Sequence, residues 1–487
     1  MDKLEVLKET FGFDSFRNGQ DEIIDSITNG NNGVLVTMAT GGGKSLLYQI
    51  PAIMSPNLTL VISPLISLMK DQVDFLKSKG VLAEFYNSSL SEVDKRNIVH
   101  KLKNQQIKLL YVAPERFEDQ YFIPFILETN QVDYFAVDEA HCISSIGHDF
   151  RPTFRMLSSA IDLLKPKQVI ALTATATTIV QQDICDKLNI PLAKRFIKGF
   201  YRDDLSIGIV KCHPKTRNNR VVQLADQYIK AGVKTGIIYC GTRTLTEEIA
   251  FELDDLQVKT DTNIYVYHAG LKDSERINTQ NAWMKNDGIV VATIAFGLGI
   301  DKPNVRFVIH NGLPGSIEGY YQEIGRASRD GKGADCVLFY ESPKDENLQR
   351  FFIDMSNPPA YSLNSLWEWM LEEADDDGLI NKTQKQMQDS IKHMNGCHVG
   401  GCISKFKKNN FVETIKRGKY KINKTKNIRK DFDFEDIQIK RKMKLETLKY
   451  IIDFANNEKK CRMLQILEYF GDSHKDRCEK CDVCISV

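Results

Sequence analysis

At 487 residues the chain is long enough for about three domains, and a composition of 42% apolar and 26% charged side chains excludes a disordered or fibrous polymer. The net charge is only +1, yet residues 381–430 hold fourteen Lys or Arg against Asp389 and Glu413, a local +12 that leaves −11 for the remainder. Such a segment reads either as a nucleic-acid surface or as a solvated lysine-rich face. The first ten residues mix charged and apolar side chains, unlike a signal peptide. The longest apolar stretch, 288–300, is too short to span a bilayer. An intracellular, cytoplasmic protein is expected, nucleoid-associated or nuclear according to its host. Of eleven cysteines, seven are scattered and four crowd the C-terminus, a pattern of reduced thiols and one metal rather than of disulfides.

In chain order, short apolar runs bounded by turn residues predict strands at 34–37, 58–63, 108–113, 134–137 and 169–173. A second set follows at 235–240, 264–268, 289–293, 307–310 and 336–340. Continuous rather than alternating apolar runs imply strands buried on both faces, and the intervening segments have helical length. The fold class is therefore α/β, with two parallel-sheet domains at 1–200 and 201–342. After Tyr340 the strand pattern stops and Asn357-Pro358-Pro359 breaks the chain. Helices are predicted at 362–373, 382–392 and 403–414, then a turn and short basic strand at 416–422. Three helices and a basic hairpin describe a winged helix, with an unrelated helical insertion as the alternative.

The chemistry begins at Thr40-Gly41-Gly42-Gly43-Lys44-Ser45, a glycine-rich turn after the first strand, with Met38 where the general phosphate-loop spacing has its first glycine. Asp138-Glu139-Ala140-His141 follows another strand. Together they form the two halves of a nucleoside triphosphate site: Lys44 for the β- and γ-phosphates, Ser45 and Asp138 for magnesium, Glu139 for the attacking water. Charge in the transition state calls for an arginine from a neighbouring domain. Arg326 and Arg329, three apart in the segment 322–331, would share one face if that segment is helical.

These residues resemble the RecQ family of superfamily two helicases over about 1–357 and 440–487. Further matching motifs are Phe11-Gly12 with Phe16, Arg17 and Gln20; residues 63–72; Ala113-Pro114-Glu115-Arg116; Thr173-Ala174-Thr175; Tyr239-Cys240; residues 267–271; and residues 295–306. The resemblance implies two RecA-like domains, adenine contacts from Arg17 and Gln20, and ATP-driven unwinding of DNA with 3′ to 5′ translocation, in repair, recombination or replication. It also implies single-stranded and forked or duplex DNA as partners, with a single-strand-binding protein or a topoisomerase among the proteins. Cys461, Cys478, Cys481 and Cys484 have the spacing of a closed tetrahedral zinc site. The looser group of His393, Cys397, His398 and Cys402 reads as helical packing.

Three departures from the family stand out. Ile146 occupies the tryptophan position of the aromatic-rich loop after the DEAH box, leaving His148 and Phe150 to couple DNA to hydrolysis. Ser328 replaces a glycine in the arginine motif, with a small expected effect. The basic helical segment, 361–428, interrupts a zinc module made of 343–360 and 429–487, so a winged helix here is transposed, with Tyr420 near the wing tip as a stacking aromatic. Two other functions compete. A DEAH-type RNA helicase is disfavoured by the zinc and adenine motifs, and a nucleic-acid-binding or annealing scaffold with a vestigial ATPase by the intact Lys44, Asp138, Glu139, Arg326 and Arg329.

Overall fold

The computed structural model describes residues 2–486 except 18, 31–32, 40, 65, 88–89, 145–150, 261, 298–299, 301, 393 and 395. Its contacts divide the chain into two units, one of Met1–Gly312, Glu318–Phe339 and Asn457–Val487, the other of Leu313–Ile317 and Tyr340–Asn456. The first unit contains both expected sheets. One comprises β1 (Val34–Met38), β2 (Leu58–Ile62), β3 (Ala83–Tyr86), β4 (Leu109–Val112), β5 (Val132–Val137), β6 (Gln168–Thr173) and β7 (Lys194–Lys198), ordered β3-β4-β2-β5-β6-β1-β7 with every pair parallel.

Successive side chains of these strands feed opposite faces. Val34 and Val36 of β1 join Val61, Ile170 and Leu172 in one core, while Leu35 joins Leu60, Ile62 and Ala171 in the other. A strand buried on both sides can carry a fixed loop at its C-terminal end, where ligands bind in such sheets. The second sheet comprises β8 (Leu205–Lys211), β9 (Thr235–Cys240), β10 (Ile264–Tyr267), β11 (Gly288–Ala292), β12 (Phe307–Asn311) and β13 (Ala334–Tyr340), ordered β10-β11-β9-β12-β13-β8.

Within these two sheets three strands lie outside the sequence expectation: β3, β7 and β8. All are sheet edges. Edge strands need hide only part of their surface and carry charges that deter further pairing, so Lys-Arg-Phe-Ile-Lys of β7 does not read as an apolar run.

The four-cysteine terminus packs on β8. The backbone N–H of Ile209 donates to Asp482 at 3.1 Å, and Ser206 Oγ donates to the Lys480 carbonyl at 3.0 Å. This grouping differs from the expected split zinc module. Residues 457–487 associate with the sheets, whereas helices Lys344–Ser356 and Phe434–Asn456 associate with the basic segment. In that second unit Asp354 receives Arg441 Nε at 2.8 Å and lies 3.7 Å from His398 Nε2, joining three helices through one carboxylate.

The basic segment folds as helix Ala360–Glu373, β14 (Leu379–Ile380), helices Gln384–Ser390 and Gly396–Lys408, then β15 (Val412–Lys416) and β16 (Lys419–Ile422). With antiparallel order β14-β16-β15, this is the winged-helix arrangement. A capping box between Thr383 and Gln386 opens the second helix.

Two expectations need correction here. The third helix does not run over 403–414 but stops at Lys408, because Asn410 adopts left-handed φ of 59° and returns the chain as a strand. Tyr420 is not at the wing tip. It pairs with Ile380 and Thr414 in the middle strand and is 5% exposed, in a core with Trp367, Phe406 and Phe411. The tip is Arg417-Gly418, where φ of 76° favours glycine.

Candidate nucleotide site and metal centre

β1 delivers the glycine-rich loop and helix Leu46–Met54 carries it away. Gly41 and Gly43 have φ of 81° and 79°. A Cβ on Gly42 would fall 2.7 Å from Met38 Cγ, and one on Gly43 2.5 Å from Gln20 Nε2. The departure at Met38 is thus accommodated beneath the loop: its buried side chain fills the space that Gly42 leaves. Lys44 Nζ donates to the Met38 carbonyl at 3.0 Å, folded back over its own loop. Burial lowers its pKa, Glu139 and Asp138 oppose that, and Arg329 adds to it.

The carboxylates arrive at the end of β5, whose extension is fixed by Asp138 N–H donating to the Ile62 carbonyl at 2.8 Å. Burial, then the charge of Glu139, raises Asp138 to about 7, with Lys44 opposing. Glu139 holds left-handed φ of 49°, and its Oε2 is buried without a hydrogen bond, 3.4 Å from His141 Nδ1. An unsatisfied buried carboxylate oxygen beside a second buried carboxylate fits residues that await a cation and a water. His141 Nδ1 also lies 2.9 Å from Thr173 Oγ1, tying the DEAH box to the Thr173-Ala174-Thr175 motif. Sequence reading found both motifs but not this link.

Arg17 and Gln20 reach the loop itself. Arg17 Nη1 donates to the Gly41 carbonyl at 2.6 Å and Gln20 Nε2 to the Gly42 carbonyl at 3.1 Å, while Gln20 Oε1 accepts from Arg17 N–H at 2.9 Å. Ser45 stands at the start of helix Leu46–Met54, within hydrogen-bond reach of Tyr48. Thr40 lies outside the described residues, as do Ile146, His148 and Phe150 of the aromatic-rich loop.

The two arginines part company. Helix Ile317–Ile324 ends before either, and Ser328 turns left-handed at φ 52°, so they do not share a helical face as expected. Arg326 is buried and donates to the Gly297 carbonyl, within the second sheet domain. Arg329 instead reaches the phosphate loop: its Cγ lies 3.8 Å from where a Cβ on Gly41 would sit. Lys44, Asp138, Glu139 and Arg329 are therefore brought together, and Arg326 is held instead by Gly297.

At the C-terminus, the thiol sulfurs of Cys461, Cys478, Cys481 and Cys484 all lie within 4.8 Å of one another. Zinc–sulfur bonds of about 2.3 Å in a tetrahedron require S···S separations of about 3.8 Å. The observed Cys461–Cys478, Cys461–Cys481 and Cys478–Cys484 separations are 3.4, 4.0 and 4.0 Å. Backbone N–H groups of Arg462 and Cys478 donate to Cys481 and Cys461 sulfurs at 3.4 Å, as outer-shell support for thiolates. A hydrogen bond with Cys478 lowers Cys461 to about 4, and the same bond raises Cys478. The donor set and spacing fit zinc. Of the looser cluster, Cys402 is buried in the apolar core and His398 Nδ1 lies 3.2 Å from Ser362 Oγ. His393 is outside the described residues.

Comparisons with known proteins find helicases. Family models described as DEAD/DEAH box helicase, helicase conserved C-terminal domain and RecQ zinc-binding match residues 17–184, 219–331 and 415–485. The ATP-dependent DNA helicase RecQ of Pasteurella multocida is 43% identical over 364 residues, covering 74% of this chain and 56% of that protein. The chain thus spans little more than half of that relative. RecS of Bacillus subtilis is 32% identical over 479 residues, 98% of this chain and 90% of that one. Among solved structures, Mss116p bound to single-stranded RNA has a TM-score of 0.56 at 19% identity, covering 74% of this chain and 75% of that one, a likeness of fold alone. Phosphate loop, DEAH box, opposed arginine and four-thiol terminus occur in one order on one fold, and the chain belongs to the RecQ family of superfamily two helicases.

Proposed function

We propose that the protein is an ATP-dependent DNA helicase that moves 3′ to 5′ along a single strand. The observation that carries the reading is Arg329 of the second sheet domain lying against Gly41 of the phosphate loop, beside Lys44 and the Asp138–Glu139 pair. Two domains that share one nucleotide close when it binds and part after hydrolysis, which converts turnover into steps. In this reading Arg17 and Gln20 shape the loop edge where the base enters, Lys44 unfolds from the Met38 carbonyl onto the phosphates, and Glu139 orients the water. Ser45 and Asp138 would hold magnesium, which neutralises the phosphate oxygens. Arg329 meets the charge that develops in the transition state. Zinc at the four cysteines would be structural, since all four positions are filled by the protein.

The discriminating experiment is strand displacement on matched DNA and RNA duplexes with 3′ or 5′ tails. Unwinding of 3′-tailed DNA, lost in Lys44→Ala while single-strand binding persists, is the expected result. Preference for RNA duplexes would move the assignment to an RNA helicase, and annealing without ATP-dependent displacement would move it to a scaffold. Location in a DNA-bearing compartment goes with this reading; among the described residues no helix is long and apolar enough to cross a membrane. A single-strand-binding protein or a topoisomerase is the protein partner to test by co-purification.

A further inference from the structure

The segment that leaves the first sheet domain contains a half-buried ion pair. Arg202 Nε and Nη2 donate to the two oxygens of Asp204, each at 2.7 Å, with the side chains 14% and 12% exposed. The same Nη2 reaches the second sheet domain, donating to the Ala327 carbonyl at 2.8 Å and the Ser328 carbonyl at 3.2 Å. These are the last two carbonyls before Arg329. Asp204 grips the other end of that loop, its own carbonyl accepting from Ala334 N–H at 3.0 Å. Burial opposes ionisation of the pair, but the Arg202 guanidinium still holds Asp204 below the usual carboxylate range.

The loop needs such a brace. It lies beyond the end of its helix, and Ser328 occupies left-handed backbone space, at φ of 52°, that is unfavourable for a non-glycine residue. Ser328 N–H donates to the Val305 carbonyl at 2.9 Å, its Oγ accepts from Gly333 N–H at 2.8 Å and its carbonyl accepts from Gly331 N–H at 2.9 Å, which fixes the turn and leaves the Ala327 carbonyl to Arg202. The base of the brace is itself anchored. Tyr321 Oη donates to the Phe200 carbonyl at 2.7 Å, Phe200 stacks on Phe470 at 4.7 Å, and Tyr201 stacks on His474 at 4.1 Å.

We propose that Arg202, oriented by Asp204, is a positioning residue for hydrolysis: it fixes the Ala327–Ser328 backbone so that Arg329 points at the phosphate loop. The inference rests on Arg329 as the transition-state arginine and deepens that reading. A planar guanidinium can serve a carboxylate and two carbonyls at once, whereas a lysine ammonium in its place cannot span them.

The test is steady-state ATP hydrolysis, stimulated by single-stranded DNA, of the full chain and of Arg202→Lys, Arg202→Ala, Arg329→Ala and the double variant Arg202→Lys with Arg329→Ala. Since displacing a catalytic group by about 1 Å costs up to about 100-fold, Arg202→Lys is expected to lower kcat about 10-fold and Arg202→Ala about 100-fold, with KM for ATP within about twofold. The double variant should be no slower than Arg329→Ala alone, because a brace has nothing left to aim. Should Arg202→Ala fail to fold by thermal melting, Arg202→Lys retains the charge and carries the test. An unchanged kcat in Arg202→Lys, or losses that multiply in the double variant while Arg329→Ala is itself impaired, overturns the positioning role and leaves the Arg329 assignment standing. Normal turnover by Arg329→Ala overturns both.

Discussion

Asp138 sits beside Glu139 with its pKa raised to about 7, mainly by burial. In the unfolded chain an aspartate ionises near pH 3.9, so between about pH 4 and 7 the folded state binds the extra proton and stability falls as pH rises. Asp138→Asn should therefore stabilise the nucleotide-free protein by about 1–3 kcal/mol at pH 8, with the gain shrinking toward zero near pH 4. Thermal melts across that range check it; a gain that grows on acidification would reverse the assignment. The arginines offer a second contrast. Arg329→Ala should lower kcat about 1,000-fold or more while lowering the melting temperature less than Arg326→Ala does, as for a group that acts on the transition state. Arg326→Ala should lose turnover and also about 2–3 kcal/mol of stability, because it strips a buried carbonyl, Gly297, of its donor. Equal melting temperatures for the two variants would refute that division.

At the scale of elements, the winged helix separates charge from core. Lys416, Arg417 and Lys419 flank the hairpin turn, while Tyr420 points into the packing of Trp367, Phe406 and Phe411. Arg417→Ala with Lys419→Ala should weaken binding to forked DNA and reduce the slope of log K against log salt by about 2, since each phosphate contact contributes about 0.9. Hydrolysis stimulated by a single strand should persist, and an unaltered slope would return the basic segment to the status of a solvated face. Tyr420→Ala should act differently from a wedge mutation, costing about 3 kcal/mol in the second unit by opening a core cavity. Loss of unwinding with unaltered stability would contradict the buried position.

On the scale of the whole molecule, the four-thiol terminus covers the exposed edge of β8, and Arg462 carries that contact inward. It is 1% exposed, donates to both oxygens of Asp482 at 2.9 and 3.0 Å, and Asp482 in turn accepts from Ile209 of β8. Cys481→Ser should lower zinc from about one atom per chain and release this cap, because a structural metal contributes folding energy directly. Metal analysis with hydrogen exchange at Ile209 checks both halves: zinc loss with unchanged exchange would separate the metal from the edge.

The sequence by itself determined the two parallel sheets, the phosphate loop, the DEAH box and the zinc cysteines. Each depends on local signals: continuous apolar runs, glycines that free the backbone near phosphate, and thiols at ligand spacing. The tertiary structure decided what depends on through-space partners. Edge strands β3, β7 and β8 are strands because a neighbour pairs with them, which their half-polar composition does not announce. Arg326 and Arg329 are chemically alike and three residues apart, yet one is consumed by Gly297 and the other faces Gly41, because Ser328 turns the chain between them. Tyr420 looked exposed beside so many lysines, but a central strand alternates faces and the packing chose the inner one. Spacing along the chain fixes which groups are available, and only the fold's long-range pairing sets which of them meet.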